Sequence, residues 1–287
     1  MKVKVNIREV FKSIPIFKKF YHFLVLISRK IRLEFYYRSN DCTRLKTFQN
    51  IHHEERCFII GNGPSLNVED LDLLKNEVTF AAHRIYNIFS GTEWRPTYYL
   101  GQDFVLLKEI EEQAKKVEAK NKFFPINIKW LHDFNIDDAV YFYLNSEEFS
   151  TQLPRFSKNA SKEVYEGYSV TYAAIQLAVY MGFKEIYLLG VDFNYAQTID
   201  NEGNIIIQEG VKDYFSNDHN IGLKLPNLEK SFLGFLSAKN FAEDEGVLIR
   251  NATRGGKLEV FKRIQLEEVL NIEYREIWNK KQRSYQI

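Results

Sequence analysis

Arg56-Cys57-Phe58-Ile59-Ile60-Gly61-Asn62-Gly63-Pro64-Ser65-Leu66 passes from an unbroken apolar run straight into a glycine-flanked polar turn. Cys57 to Ile60 read as a buried strand, and an abrupt stop at Gly and Pro marks the junction of strand and loop. Gly61 and Gly63 let backbone approach a ligand closely, and Ser65 is placed to cap a following helix. The free N–H groups at a helix start attract phosphate. An open α/β sheet holds its ligands beyond the carboxyl ends of its strands, where this turn falls. A turn with a purely structural role is the competing reading. The Lys-Ser/Thr ending of a Walker A loop is missing, and so is the three-glycine dinucleotide fingerprint.

Moving outward, Val78 to Ala82 and Thr97 to Leu100 read as further strands. Leu107, Ile110, Ala114 and Val117 recur at helical spacing and predict an amphipathic helix on the sheet exterior. Phe123 to Ile128 and Val140 to Tyr143 are strand candidates, followed by a polar stretch over Asn145 to Gly167. Val170 to Met181 reads as a helix ended by Gly182, and Lys184 to Gly190 as a strand whose consecutive apolar residues suit the centre of a parallel sheet. Leu228 to Ala242, closed by Gly246, is the next helix. Val247 to Ile249 is a strand, and Gln265 to Leu270 a short final helix. The segment 194–227 is too long for a simple crossover and reads as a lid or binding loop.

This alternation predicts an α/β protein: a Rossmann-like, mostly parallel sheet flanked by helices, with function gathered on one rim. Residues 1–49 read as a basic amphipathic helical extension and linker, with 39–55 as a polar connection. Residues 50–270 form a single nucleotide-binding domain carrying the lid-like segment, and 271–287 a C-terminal tail.

The composition fits a folded globular chain of 287 residues, 45% apolar and 27% charged. A net charge of +1 argues against a dedicated nucleic-acid binder. The 17 Tyr and 23 Phe suit either a wide aromatic core or sugar-stacking surfaces. Two cysteines, Cys42 and Cys57, give neither a disulfide framework nor zinc spacing, which fits a reducing compartment with Cys57 an inert core thiol. No apolar stretch approaches a membrane span, and the first residues lack a signal-peptide cleavage pattern. Residues 1–38 hold ten Lys or Arg against only Glu9 and Glu34, interleaved with aromatic and aliphatic side chains, and Pro15 divides two helical pieces. Such a segment suits an anionic membrane surface, or docking on the body or on another subunit in a homo-oligomer. The expected location is cytoplasmic, peripheral on the inner face of the membrane.

Polar clusters follow four of the strands: Gly61-Asn62-Gly63, His83-Arg84, Gly190 to Tyr195, and Asn251 to Gly256. Strand ends in one parallel sheet converge, so these distant residues can meet over one crevice. Asn62 and His83 can bond a base, ribose or phosphate, although a structural histidine is an open alternative. Asp192 suits a ribose, a metal ion or a turn, and Asp103 is a lone carboxylate. Tyr195 offers a hydroxyl to a phosphate oxygen, or is an exposed aromatic loop residue. Arg254 presents a donor fork to carboxylate or phosphate, or makes a surface salt bridge. His219 is the best candidate proton acceptor, an imidazole suiting removal of a hydroxyl proton at neutral pH, with a plain loop histidine as the alternative. No nucleophile elbow occurs, and no DxD-type metal pair stands out. His52 and His53 read as solvent-facing.

The motifs Gly61 to Leu66 and Gly182 to Phe193 resemble the bacterial lipooligosaccharide sialyltransferases of the Campylobacter type, and equally the MptE-like (DUF115) family. The resemblance covers roughly residues 50–265. It implies that the Asn62 loop binds the CMP part of an activated acidic sugar and that His219 is the general base. Tyr195 is a looser match to a phosphate-binding tyrosine. His83 stands where those enzymes carry an asparagine, and Ser169 to Thr171 replace their Thr-Ser-Gly turn. Asn251 to Gly256 look more like the MptE-like proteins, which transfer a diphosphate from ATP to a pterin alcohol, usually with magnesium. The expected activity is glycosyl transfer from a CMP- or other nucleotide-activated donor to a cell-surface glycan or lipid-linked saccharide. A pterin pyrophosphokinase requiring Mg or Mn and a non-enzymatic nucleotide- or glycan-binding protein are the alternatives.

Overall fold

Cys57, Phe58, Ile59 and Ile60 are all buried because both faces of their strand are covered. Cys57 and Ile59 enter one hydrophobic cluster, Phe58 and Ile60 the other, as the two-residue period of a strand requires. The computed structural model of the protein describes residues 15–146, 152–194, 197–199, 205–207 and 227–271.

In chain order the elements are α1 (Pro15–Tyr37), α2 (Asn40–Lys46), β1 (Arg56–Ile60), α3 (Val68–Leu73), β2 (Thr79–Ala82), a 3-10 segment (His83–Gly91) and β3 (Tyr98–Leu100). Next come α4 (Phe104–Glu109), α5 (Glu111–Lys116), β4 (Asn121–Pro125), α6 (Ile126–Leu131), β5 (Ala139–Phe142), β6 (Leu144–Asn145) and β7 (Val164–Tyr165). The chain continues through α7 (Val170–Met181), β8 (Glu185–Leu189), β9 (Gln197–Ile199), β10 (Ile205–Ile207), α8 (Leu228–Glu245), β11 (Leu248–Asn251) and α9 (Leu266–Val269).

Seven strands form one sheet in the order β11-β8-β1-β2-β3-β4-β5. All its pairings are parallel, so the Rossmann-like α/β expectation holds. The chain winds outward from β1 to β5, then returns to the other side of β1 with β8 and β11. Between β1 and β8 the winding reverses, the point at which an open parallel sheet places its ligand site. Within 194–227, β9 and β10 pair antiparallel.

α7 packs on the face of β1 and supplies ten buried residues of its twelve, which is why its sequence is apolar all round. Its one fully buried amide, Gln176, accepts from Ser157 N–H and Tyr165 N–H and donates to the Tyr165 and Tyr172 carbonyls. Gly182 ends the helix at φ +97°, a left-handed residue as its position predicts.

Four expectations change. The 107–117 helix is two, broken at Ile110, although Leu107, Ile110, Ala114 and Val117 are all buried as the spacing predicts. The Phe123 to Ile128 strand stops at Pro125, after which Ile126 opens α6. Residues 39–55 are more than a polar connection: Cys42, Leu45 and Phe48 are buried in the core. His52 is not solvent-facing either. It stacks on Phe183 with ring centroids 4.4 Å apart, and Nε2 lies 2.6 Å from the Tyr98 hydroxyl.

Cys57 is a fully buried thiol whose pKa burial pushes up, in keeping with an inert role. The largest fully buried side chains are aromatic, among them Trp94, Tyr98, Tyr99 and Phe124, so aromatic rings fill much of the described interior. Among the described residues no helix is long and apolar enough to cross a membrane.

Candidate functional site

A cavity of about 700 Å³ opens over the carboxyl ends of β1, β2, β3 and β8. Its wall is made by Gly61 to Gly63 after β1, Ala82 at the end of β2 and His83 after it, Gln102 and Asp103 after β3, and Gly190 to Asn194 after β8. Ser169, Val170 and Thr171 bring the N-terminus of α7 to it, and Ser231 and Phe235 bring one side of α8.

The loops after β1 and β8 are locked together. Gly61 N–H donates to the Leu189 carbonyl and Gly63 N–H to the Gly190 carbonyl, each at 2.8 Å. A Cβ on Gly61 would fall 2.3 Å from Gly190 O, and one on Gly63 would fall 1.9 Å from Asp192 Oδ2. The neighbouring loop therefore demands both glycines, Gly61 against the Gly190 backbone and Gly63 against the Asp192 carboxylate. The Ser65 hydroxyl donates to Asp192 Oδ2 at 2.7 Å, so Ser65 does not cap the helix. Asn67 does, accepting from Asp70 N–H at 2.8 Å. Burial raises the Asp192 pKa above the usual carboxylate value, against the opposing pull of the Ser65 hydrogen bonds. The Asp192 carbonyl is also bonded, by Lys257 N–H at 2.6 Å.

Two amides stand in the wall half-satisfied. Asn62 donates through Nδ2 to the Ala82 carbonyl at 3.0 Å, and Gln102 through Nε2 to the Glu166 carbonyl at 3.0 Å. Their oxygens, Asn62 Oδ1 and Gln102 Oε1, are buried without a donor among the described residues. Gln102 N–H donates to His83 Nε2 at 3.2 Å, which leaves the ring proton on Nδ1. Burial lowers the His83 pKa to about 4, with Asp103 pulling weakly the other way, so the ring is neutral at pH 7. His83 also has φ +54°, a conformation rare for a residue with a Cβ, and its carbonyl accepts from the Tyr99 hydroxyl at 2.6 Å.

α7 begins at Ser169, whose hydroxyl makes no capping bond. The first N–H groups of this 12-residue helix have no intrahelical acceptor, and its dipole adds partial positive charge at the cavity. No Lys or Arg is among the described lining residues, whereas Asp103, Glu166 and Asp192 are. Among the described residues no three His, Cys, Asp or Glu gather as a metal-binding group.

Of the residues marked in the sequence, Asn62, His83, Asp103, Ser169, Thr171 and Asp192 meet around the cavity, with Gly61 and Gly63 in its wall and Ser65 on Asp192. Asp103 Oδ1 caps α4, accepting from Val105 and Leu106 N–H. Asn251 and Arg254 do not line the cavity. Asn251 is 1% exposed and ties its own loop, donating to the Leu258 carbonyl and accepting from Thr253 N–H. Arg254 grips Asp70 through two bonds of 2.7 Å and Glu267 through one of 2.5 Å, joining the β11 loop to α3 and α9. Tyr195 and His219 lie outside the described residues. Gln102 is a wall residue the sequence reading passed over; its place between Gly101 and Asp103 at a strand end was the available signal.

A family model described as 6-hydroxymethylpterin diphosphokinase MptE-like matches residues 33–198. Among solved structures, the MAf glycosyltransferase from Magnetospirillum magneticum AMB-1 aligns at 14% identity and a TM-score of 0.47, covering 83% of this chain and 40% of that one. The sialyltransferase CstII from Campylobacter jejuni, in complex with the substrate analogue cytidine-5'-monophosphate, aligns at 15% identity and a TM-score of 0.42, covering 74% of this chain and 85% of that one. The chain thus spans less than half the length of the first of these. Likenesses this distant assign no chemistry. No curated protein matches the chain.

Proposed function

The chain belongs to the family described as 6-hydroxymethylpterin diphosphokinase MptE-like, and from that premise we propose a transferase that transfers a sugar from a CMP-linked donor to a glycan or lipid-linked saccharide hydroxyl. The charge of the cavity carries this reading: a helix N-terminus faces it, and its described lining offers no cationic side chain. A donor with one phosphodiester charge needs no more than helix N–H groups and a dipole. The triphosphate of ATP needs several cations to neutralise it during transfer. His83, neutral at pH 7, adds no positive charge and is suited to a hydrogen bond through Nδ1–H.

In the proposed reaction the acceptor oxygen attacks the anomeric carbon. The bond from that carbon to the phosphate oxygen breaks, and its electron pair leaves on CMP. The hydroxyl proton passes to a base, a role we assign to His219. The departing phosphate carries growing charge, which the first turn of α7 stabilises. The second reading, diphosphate transfer from ATP to a pterin alcohol, is favoured by the family's description and would use the same cavity.

A binding screen of CMP, UDP-sugars, ATP with magnesium, and GTP separates the two. Ser169→Asp is the diagnostic variant, because an aspartate is a good cap and keeps the helix while placing negative charge against the phosphate. CMP affinity is expected to fall about tenfold, a loss of about 1.4 kcal/mol. Turnover of a CMP-linked donor should collapse in His219→Ala while CMP binding persists. Tight ATP binding with AMP release, and no CMP binding, would overturn the glycosyl reading.

A further inference from the structure

One face of α1 has no role in the cavity and no cover among the described residues. The helix runs over 23 residues, about 35 Å at the usual rise per residue. Its inner face is fixed to the body: the Tyr36 hydroxyl donates to the Tyr141 carbonyl at 3.2 Å, and Arg29 donates to Asn145 Oδ1 at 2.7 Å. The Arg29 guanidinium also lies over the Tyr143 ring and that of Arg32 over Trp130. Facing away, Phe23, Ile27, Ile31 and Phe35 recur every fourth residue and are 56%, 37%, 51% and 72% exposed, with Leu24 beside them. Together they span an arc of about 120°, interrupted near its C-terminal end by the exposed Glu34–Arg38 ion pair. In the sequence, Ile16 and Phe20 precede Leu24 at the same four-residue spacing.

We propose that this face lies in the plane of an anionic lipid surface. The pattern fits because the apolar arc is wider than the narrow seam a second helix requires. Phe-rich apolar faces bordered by Lys and Arg are those that settle at the headgroup boundary. Charge points the same way: residues 1–38 hold ten of the 39 basic residues of the chain but two of its 38 acidic ones. The rest of the chain is net negative and is held off such a surface, while a second copy of the helix would bring like charge against like. The helix lies on the surface rather than spanning it, given that no described helix is apolar enough to cross. Arg29 seats α1 on Asn145, whose neighbours Leu144 and Ser146 line the cavity, so α1 abuts one wall of it. The docking itself does not rest on the transferase reading.

The test is flotation of the full chain with phosphatidylcholine vesicles, with and without phosphatidylglycerol, at low and high salt. The protein should float with the anionic vesicles, be released by salt, and stay off the neutral ones. Ile27→Ser with Ile31→Ser, both at exposed positions, should reduce binding at least about tenfold at unchanged thermal midpoint. Failure to float with anionic vesicles at low salt overturns the proposal. So does a dimer in light scattering that the double variant converts to monomer. Nucleotide binding measured on the same samples keeps this outcome separate from the fate of the transferase reading.

Discussion

At φ +54° the His83 backbone is held where few residues with a Cβ settle, and Gln102 N–H and the Tyr99 hydroxyl fix it there. Burial lowers its pKa from 6.5 to about 4, so between those values the unfolded chain binds the proton and the folded chain does not. The stability tied to His83 is therefore complete above pH 6.5 and lost as pH falls toward 4. Its size is on the order of 1–3 kcal/mol. Urea midpoints taken from pH 7.5 down to 4.5 should fall more steeply in the parent than in His83→Gln. Parallel curves would remove His83 as the source. Other residue-scale features were half legible. Gly61 and Gly63 stand out in sequence, yet only the packing of Gly190 and Asp192 against them explains why a Cβ is forbidden. Nothing local in a sequence reports the neighbour across a crevice.

Single side chains also join the elements. Arg254 reads in sequence as a free donor fork, but Asp70, 2% exposed, and Glu267 take up its guanidinium. Arg254→Met would strand the Asp70 carboxylate in the interior, with Asn67 as its remaining side-chain donor. The expected loss is about 3 kcal/mol of stability, read from denaturant titration. Since Arg254 lies outside the cavity, CMP affinity should hold, and a parallel loss of affinity would return it to the site. Helix ends were the most legible elements, because Gly182 and Gly246 take left-handed conformations that other residues resist. Helix continuity was less so: the apolar spacing from Leu107 to Val117 survives a break at Ile110, since two short helices bury the same face as one long one.

Across the whole molecule, the boundary between extension and body is set by burial rather than by charge. Phe23 to Ser28 are exposed wherever described, whereas Tyr36, Cys42 and Leu45 are buried in the core. Removing residues 1–28 should leave the thermal midpoint nearly unchanged and abolish vesicle binding. Removing residues 1–40 should cost about 2 kcal/mol or more through the loss of Tyr36 burial. Equal midpoints for the two truncations would show that the α1 contacts contribute nothing to the body. The sequence by itself determined the parallel α/β class and the rim of strand-end loops, because periodicity and Gly placement are local consequences of backbone geometry. The tertiary structure alone decided which polar residues share the cavity. It set Gln102 and the start of α7 beside Asn62 and His83, and drew Asn251 and Arg254 into the scaffold. The physical reason is that hydrogen-bond partners and desolvation depend on groups distant in sequence, and only the packed fold brings these together.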